Sequence, residues 1–118
     1  MTRTDTQQAA DAQPSTEGWD IHHAASTEWV PWGQSGDARA KVLGSADGYI
    51  VALVEADAGY SGDPHAHESA EFFYLIEGQV RNQGVQMNAA DGYAAAAGST
   101  HDEFATDTGA TYITIFKL

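Results

Sequence analysis

Cysteine is absent from this chain of 118 residues. Its absence excludes disulfide bonds and metal sites built on thiolates, and it fits a reducing compartment, so we expect a cytoplasmic protein. Long apolar runs are missing as well. The N-terminus has no hydrophobic segment typical of a signal peptide, and no stretch is apolar enough to span a bilayer.

Basic residues are scarce. Five Lys and Arg side chains stand against seventeen Asp and Glu side chains, which gives a formal net charge of −12. A field of this sign repels the phosphates of nucleic acids and of anionic membranes. We therefore expect no nucleic-acid partner and no membrane partner.

Helical periodicity is lacking too, and the sequence instead favours strands. Runs rich in β-branched and aromatic residues cover positions 40–43, 49–55, 70–76, 85–87 and 111–117, and Gly, Asp, Asn and Ser separate them. Short strands at such intervals predict an all-β antiparallel sandwich or barrel of about eight to ten strands. We expect a single domain over residues 18–118. Residues 1–17 hold too little apolar surface to pack, so they are expected to form a flexible arm.

Histidine and glutamate form the most informative pattern. His65 and His67 lie two residues apart, so on an extended strand both point to the same face, which Glu71 shares if the strand continues. His101 supplies a third imidazole. Three imidazoles and one carboxylate suit one divalent ion, Fe(II), Mn(II), Ni(II) or Zn(II). A metal-free polar cluster is the alternative, and Glu71 can also act through a hydrogen bond to metal-bound water.

The same alternation predicts which side chains point into the interior of the barrel. If the ligands point inward, Phe73 and Leu75 follow them, and with Tyr60 they are candidates for the wall of a substrate pocket. Glu103, two residues beyond His101, is expected to point inward as a possible general base, although a solvated carboxylate at the rim is the simpler interpretation. Three aromatic residues are expected on the outer face: Phe72, Tyr74 and Phe104.

Two segments resemble the motifs of the cupin superfamily. Five positions match the first motif in spacing and residue type: Gly59, His65, His67, Glu71 and Gly78. Gly98 and His101 match the second motif. Alanines stand where that motif has its opening glycine, its proline and its terminal asparagine: Ala90, Ala96 and Ala105. These replacements affect turns and packing and leave the fold assignment almost untouched.

The chain is most similar to small, single-domain cupins of the ChrR type. The resemblance implies an RmlC-like double-stranded β-helix, the cupin jelly roll, closed into an antiparallel β-barrel. It also implies one divalent metal ion held by His65, His67, Glu71 and His101. It further implies a homodimer that pairs through a sheet edge, and we expect residues 111–117 to be such an exposed edge strand. Proteins of this type include metal-dependent dioxygenases that cleave diketones and hydroxylated aryl ketones, and the cupin half of zinc-containing anti-sigma factors.

The resemblance favours an Fe(II)-dependent dioxygenase whose small-molecule substrate is a ketone, a diketone or a phenol. Two alternatives stay open. The site can run a non-redox isomerisation, dehydration or cyclisation with Zn(II), Ni(II) or Mn(II) as Lewis acid and a carboxylate such as Glu103 moving the proton. The domain can also be a non-catalytic sensor of a metal or a small ligand. The sequence contains no helical sigma-binding half, which argues against an anti-sigma role.

Overall fold

The computed structural model describes residues 13–118, which are nearly all β. Within that range there is one short 3-10 helix, Ala24–Ser26, and ten strands: β1 (Val30–Pro31), β2 (Ala38–Ala46), β3 (Tyr49–Ala56), β4 (His65–Ala66), β5 (Glu71–Asn82), β6 (Val85–Asn88), β7 (Gly92–Ala95), β8 (Thr100–His101), β9 (Phe104–Ala105) and β10 (Ala110–Lys117). The all-β prediction is confirmed, and each of the five predicted runs overlaps one strand. Strands of two to four residues account for the rest.

Strand β5 connects the parts of the roll. The main sheet has the order β1-β2-β3-β10-β5-β6, and β7 and β9 also pair with β5. The first half of β5 lies between β10 and β7, and its second half lies between β6 and β9. All of these pairs are antiparallel. A separate two-stranded ladder, β4-β8, completes the fold.

Gly78 marks the point where β5 passes from one set of partners to the other. Its φ is +89°, a left-handed conformation that favours glycine, and a Cβ at this position would lie 2.2 Å from the carbonyl oxygen of Gly109. The pairing with β10 is irregular just before this residue. The buried side chains of β5 consequently change parity, from Phe73 and Leu75 before Gly78 to Val80 after it.

The core combines small residues on one wall with aromatic rings on the other. Strands β2 and β3 bury mainly small side chains: Ala38, Ala40, Ala52, Val54 and Ala56. Facing residues include Phe73, Phe104 and Tyr112, whose rings contact one another with centroids 4.9 to 5.6 Å apart. The small side chains leave room for these rings in the core, and a cavity lies beside the β4-β8 ladder.

Two predictions about strand environment are wrong. Phe104 was expected on the outer face but is 9% exposed, because the chain leaves extended structure between β8 and β9 and the alternation does not continue across the break. Residues 111–117 were expected to be an exposed edge strand. They belong to β10, which pairs with β3 on one side and β5 on the other, so no edge exists there.

The structure describes only the last five residues of the predicted arm. Residues 1–12 of the predicted arm lie outside the described residues, and residues 13–17 are exposed.

Phe72 and Tyr74 lie on the outer face of β5 as expected, at 45% and 50% exposure. No helix within residues 13–118 is long and apolar enough to cross a membrane.

Candidate metal centre

The four predicted ligand residues meet at one end of the roll, and we call them the His/Glu cluster: His65, His67, Glu71 and His101. The register of β4 and β8 places His65 directly opposite His101. His67 follows β4 and Glu71 begins β5, with a bend between them. The strand therefore does not run on undistorted from His67 to Glu71, but the bend still returns Glu71 to the cluster.

Each residue of the His/Glu cluster offers one ligand atom, and these atoms all lie within 4.8 Å of one another. The three imidazole rings form a nearly equilateral triangle with centroid distances of 5.1, 5.3 and 5.4 Å. His67, His101 and the Glu71 carboxylate are largely buried, while His65 is exposed at the cavity side. Such a group of imidazole and carboxylate donors has the size and chemistry of a single-ion site.

Hydrogen bonds fix which nitrogen of His65 and His67 faces the centre. The Nδ1 atom of His65 lies 2.9 Å from the carbonyl oxygen of Asp63, which can only accept, so this nitrogen carries the proton. The Nδ1 atom of His67 lies 2.9 Å from Ser99 Oγ, and that hydroxyl donates to the carbonyl of Ala96. Ser99 therefore accepts from His67. Both rings keep an Nε2 lone pair for a ligand.

His101 is fixed in the opposite sense. Its Nε2 atom bonds to the side-chain oxygen of Asn82, so its Nδ1 atom is left with the lone pair. Burial lowers the pKa of His101, and the neighbouring Glu71 carboxylate opposes that shift. A neutral imidazole is the form that binds metals.

The inward-facing atoms of the cluster lack partners of their own. Among residues 13–118, His67 Nε2, Glu71 Oε1 and His101 Nδ1 are buried atoms with no hydrogen-bond partner. Glu71 Oε1 is 2.8 Å from His67 Nε2 and 4.0 Å from His101 Nδ1, but these approaches do not form hydrogen bonds. Facing lone pairs repel, and a cation between them removes that cost. The residues present thus fit a divalent metal ion.

The second oxygen of Glu71 is held by the protein. Thr114, on β10, donates its hydroxyl proton to Glu71 Oε2 at 2.7 Å. This bond leaves Oε1 as the atom directed at the imidazoles. Hydrogen bonds of this kind orient the ligands of metal sites and contribute to their affinity.

A cavity of about 450 Å³ opens beside the His/Glu cluster. Aromatic side chains form much of its wall: Trp32, Tyr60, Phe73, Tyr93, Phe104, Tyr112 and Phe116. Two of the three predicted pocket residues, Tyr60 and Phe73, are on that wall. The third is not: Leu75 points inward but is fully buried in the core and does not line the cavity, because strand parity predicts the face and not the depth.

The prediction that Glu103 points into the interior is wrong. Its carboxylate accepts a hydrogen bond of 2.8 Å from the backbone N–H of Gly84 and lies 3.8 Å from the guanidinium of Arg81. Both backbone N–H groups of residues 102 and 103 bond to the side chain of Gln83, which turns Glu103 toward the hairpin. Glu103 does not line the cavity, so it has no place as a general base there.

Several residues that shape the site were not assigned to it from the sequence. Ser99, Asn82 and Thr114 orient three of the four cluster side chains. Asn82 belongs to a turn signal, and Ser99 follows a glycine in a loop, so nothing local marks either as a partner of histidine. Thr114 gives one usable signal, because it shares the inward parity of Tyr112 on β10.

Comparison with known proteins agrees with this architecture. Residues 18–117 match the family model described as the ChrR Cupin-like domain. No curated protein matches the chain. An RmlC-like cupin from Shewanella frigidimarina is 25% identical with a TM-score of 0.71, and the match covers 82% of this chain and 88% of that one.

Two further solved structures share the fold at lower identity. An acetylacetone dioxygenase from Acinetobacter johnsonii is 16% identical with a TM-score of 0.71, over 89% of this chain and 76% of that one. The Rhodobacter sphaeroides structure of SigE in complex with the anti-sigma ChrR matches at 19% identity and a TM-score of 0.67, over 80% of this chain and 51% of that one. On the family match and the cupin fold together, this chain belongs to the ChrR-like cupin family.

Proposed function

We propose that this protein is a metal-dependent dioxygenase, with Fe(II) as the favoured ion, that acts on a small ketone, diketone or phenolic substrate. One observation carries the proposal: three imidazole lone pairs and a carboxylate oxygen converge at the wall of a cavity that aromatic side chains line in part. The likeness to the acetylacetone dioxygenase of Acinetobacter johnsonii supports the choice of reaction. The fold by itself does not, because one scaffold hosts many activities.

The chain supplies both a binding site and apolar surface for this chemistry. A divalent ion held by the His/Glu cluster would supply Lewis acidity and, as Fe(II), electrons for reaction with O₂. The rings of Phe73, Phe104 and Tyr112 offer flat apolar surfaces to a planar substrate. The cavity volume of about 450 Å³ lies in the range usual for small-molecule sites.

The non-redox alternative requires a carboxylate that moves the proton, and Asp63 and Glu68 on the cavity wall stay candidates for that role although Glu103 does not. Glu103, the carboxylate expected to move the proton, faces Arg81 and Gly84 outside the cavity. The non-catalytic alternative has one observation in its favour, the likeness to the ChrR chain in its complex with SigE. A module of that kind would hold a metal without turning over any substrate.

Oxygen uptake by the loaded protein tests the proposal. The metal-free chain is loaded with Fe(II) under nitrogen, and O₂ consumption is followed with acetylacetone and with a hydroxylated aryl ketone. We expect uptake that requires both metal and substrate, that is lost in His67→Ala and that is retained in the exposed-site control His22→Ala. Loaded protein that consumes no O₂ with any substrate of the panel would contradict the proposal. Turnover of Zn(II)-loaded protein without O₂ would favour the non-redox alternative.

We also propose that the protein is a homodimer. The outer face of β5 exposes three large apolar side chains in a row, Phe72, Tyr74 and Ile76, at 45%, 50% and 44% exposure. Exposed apolar patches of this kind favour association with another protein surface. Light scattering is expected to give twice the chain mass, and a Tyr74→Lys variant is expected to be monomeric. A monomeric wild-type chain at micromolar concentration would contradict this proposal.

The cytoplasmic location stays a prediction from the sequence.

A further inference from the structure

Three aromatic residues of the cavity wall also carry polar atoms, and we call them the Trp–Tyr trio: Trp32, Tyr60 and Tyr112. The Phe104 ring contacts both this trio and the His/Glu cluster. Its centroid lies 5.8 Å from that of the His101 ring. It lies 5.2 Å from the ring of Tyr112 and 6.4 Å from the ring of Tyr60. A flat molecule that packs on Phe104 can therefore reach both the cluster and the trio.

The hydroxyls of Tyr60 and Tyr112 are accessible from the cavity. Among residues 13–118, neither hydroxyl forms a hydrogen bond of normal geometry, and neither belongs to the enclosed polar atoms that lack a partner. Both atoms therefore retain accessible surface. Because Tyr60 and Tyr112 are only 6% and 4% exposed, that surface faces the cavity that they line.

Glycine backbone surrounds the Tyr60 hydroxyl on two sides. A Cβ at Gly33 would lie 3.6 Å from the hydroxyl oxygen, and a Cβ at Gly62 would lie 3.8 Å from it. Since neither residue has a side chain, nothing projects from these two positions over the oxygen. The hydroxyl is therefore left open to a ligand where a larger residue would cover it.

Both phenols keep a proton that has no acceptor among residues 13–118. Burial raises the pKa of Tyr60 and of Tyr112 above the ordinary value. The indole N–H of Trp32 opposes this shift at both residues, as a donor directed at a phenol oxygen does. The two oxygens share that single N–H, and each phenol still has its own O–H to donate.

Donation by Tyr60 to a neighbouring carboxylate is the other use that its proton could have. The charges of Asp37 and Asp63 raise the pKa of Tyr60, but neither carboxylate accepts a hydrogen bond from it. Asp37 accepts from Ser35 instead. The two charges have a different consequence: they disfavour an anionic group near Tyr60, so a neutral acceptor fits this end of the cavity better.

We propose that the Trp–Tyr trio holds a neutral carbonyl oxygen at one end of the molecule whose other end binds at the His/Glu cluster. The inference rests on the proposed function and narrows its substrate class. The substrate carries one oxygen-bearing group for the ion and a second carbonyl on the far side of a flat part that packs on Phe104. A small diketone that places both oxygens at the ion leaves the trio without an acceptor.

The test measures ligand binding rather than turnover. The full chain is loaded with Co(II), and its visible spectrum is titrated with three benzohydroxamates, whose hydroxamate group chelates the ion. The para-acetyl compound carries the distal carbonyl, the para-isopropenyl compound has the same shape without an acceptor, and the para-carboxy compound is anionic. Tyr60→Phe and Tyr112→Phe, alone and combined, remove the hydroxyls and retain the rings. Tyr74→Phe makes the same change on the outer face and is the matched control.

We expect the wild-type chain to bind the para-acetyl compound about 5-fold more tightly than the para-isopropenyl compound, the effect of hydrogen bonds to a neutral acceptor. The para-carboxy compound should bind more weakly than the para-acetyl compound. The combined variant should bind the acetyl and isopropenyl compounds within about 2-fold of each other, with its Co(II) affinity unchanged. Tyr74→Phe should keep the wild-type preference. If the combined variant fails to fold, each single variant should still lose part of the preference.

Equal affinities of the wild-type chain for the acetyl and isopropenyl compounds would overturn the inference, as would a preference that survives in the combined variant. A parallel loss of Co(II) affinity would overturn it too, because the trio would then act on the His/Glu cluster. Tighter binding of the para-carboxy compound would assign this end of the cavity to an anion, with Lys117 on the wall as its partner. A wild-type chain that binds no Co(II) would overturn the proposed metal site and the inference with it, which is a distinguishable failure.

Discussion

The two segments that supply the His/Glu cluster are built very differently. Residues 59–78 keep every glycine and ligand of their motif, whereas residues 90–105 carry alanine at three motif positions. Ala90, at the position of the missing opening glycine, nevertheless adopts φ +77°, the conformation that glycine would take. His101 still reaches the cluster because β8 pairs with β4. The pairing of β8 with β4 thus places His101 in the cluster. The alanines at the turn positions are expected to affect the stability of the protein more than the position of His101.

The largest effect that would separate the two segments is expected at their glycines. Gly78→Ala should destabilise the metal-free protein by about 3 kcal/mol or more, since a left-handed φ and a backbone clash act together. Gly98 has a similar φ of +87° against +89° for Gly78, but a Cβ at Gly98 meets nothing within 4 Å. Gly98→Ala should therefore cost only about 1 to 2 kcal/mol. Urea denaturation measures both, and equal losses would show that the close approach at Gly78 does not matter.

Removal of a ligand is expected to affect both segments alike. His67→Ala and His101→Ala should each weaken Co(II) or Zn(II) binding by about 100-fold or more, because each takes one donor from the same ion. His22→Ala, at an exposed histidine bonded to Asp20, should leave the affinity unchanged. Competition with a chromophoric chelator gives these constants. A loss confined to His67→Ala would mean that the second segment does not hold the metal.

Residues that orient the imidazoles are expected to have a smaller effect. Asn82→Ala and Ser99→Ala should each lower metal affinity by about 10-fold, because His101 and His67 lose the partners that fix their tautomers. Asn82→Asp retains an acceptor and should restore the affinity of Asn82→Ala. Asn88→Ala, an exposed position on the same hairpin, is the control. Wild-type affinity in Asn82→Ala would show that His101 needs no fixed tautomer.

The smallest effect concerns the eroded turn. Ala90→Gly should stabilise the protein by roughly 0.5 kcal/mol, because relief of left-handed strain exceeds the entropy that glycine loses on folding. Ala89→Gly, next to it and without a positive φ, should destabilise by about 0.5 to 1 kcal/mol. Thermal unfolding of the two variants compares them directly. If Ala90→Gly is also destabilising, the alanine is not strained at this turn.

Sequence patterns predicted the long strands well, because the alternation of apolar and polar residues can be recognised only in a strand of several residues. Strands β3 and β10, of eight residues each, fell where predicted, whereas β4, β8 and β9, of two residues each, carry no periodic signal. The same limit explains the wrong predictions for Phe104 and Glu103. Their directions were predicted by continuing the alternation past His101, where β8 ends. The resemblance to the family motifs gave His65 and its partners, because these residues stand at the motif's ligand positions.

The surroundings of the ligands could not be predicted in the same way. Asn82 and His101 are nineteen residues apart, and His67 and Ser99 are thirty-two apart, so only the folded ladder makes them neighbours. Leu75 shows what alternation leaves open. The side chain points inward as predicted, but whether it reaches the cavity depends on how deep its position lies in the roll.

Crystallography of protein loaded with Fe(II) or Co(II), with anomalous data at the metal edge, tests the central claim most directly. One ion is expected about 2.1 Å from each of three specific nitrogens, Nε2 of His65, Nε2 of His67 and Nδ1 of His101, with Glu71 Oε1 completing the set. An ion bound elsewhere on the chain, or bound through the opposite ring nitrogens, would contradict the lone-pair arrangement on which the proposed function depends.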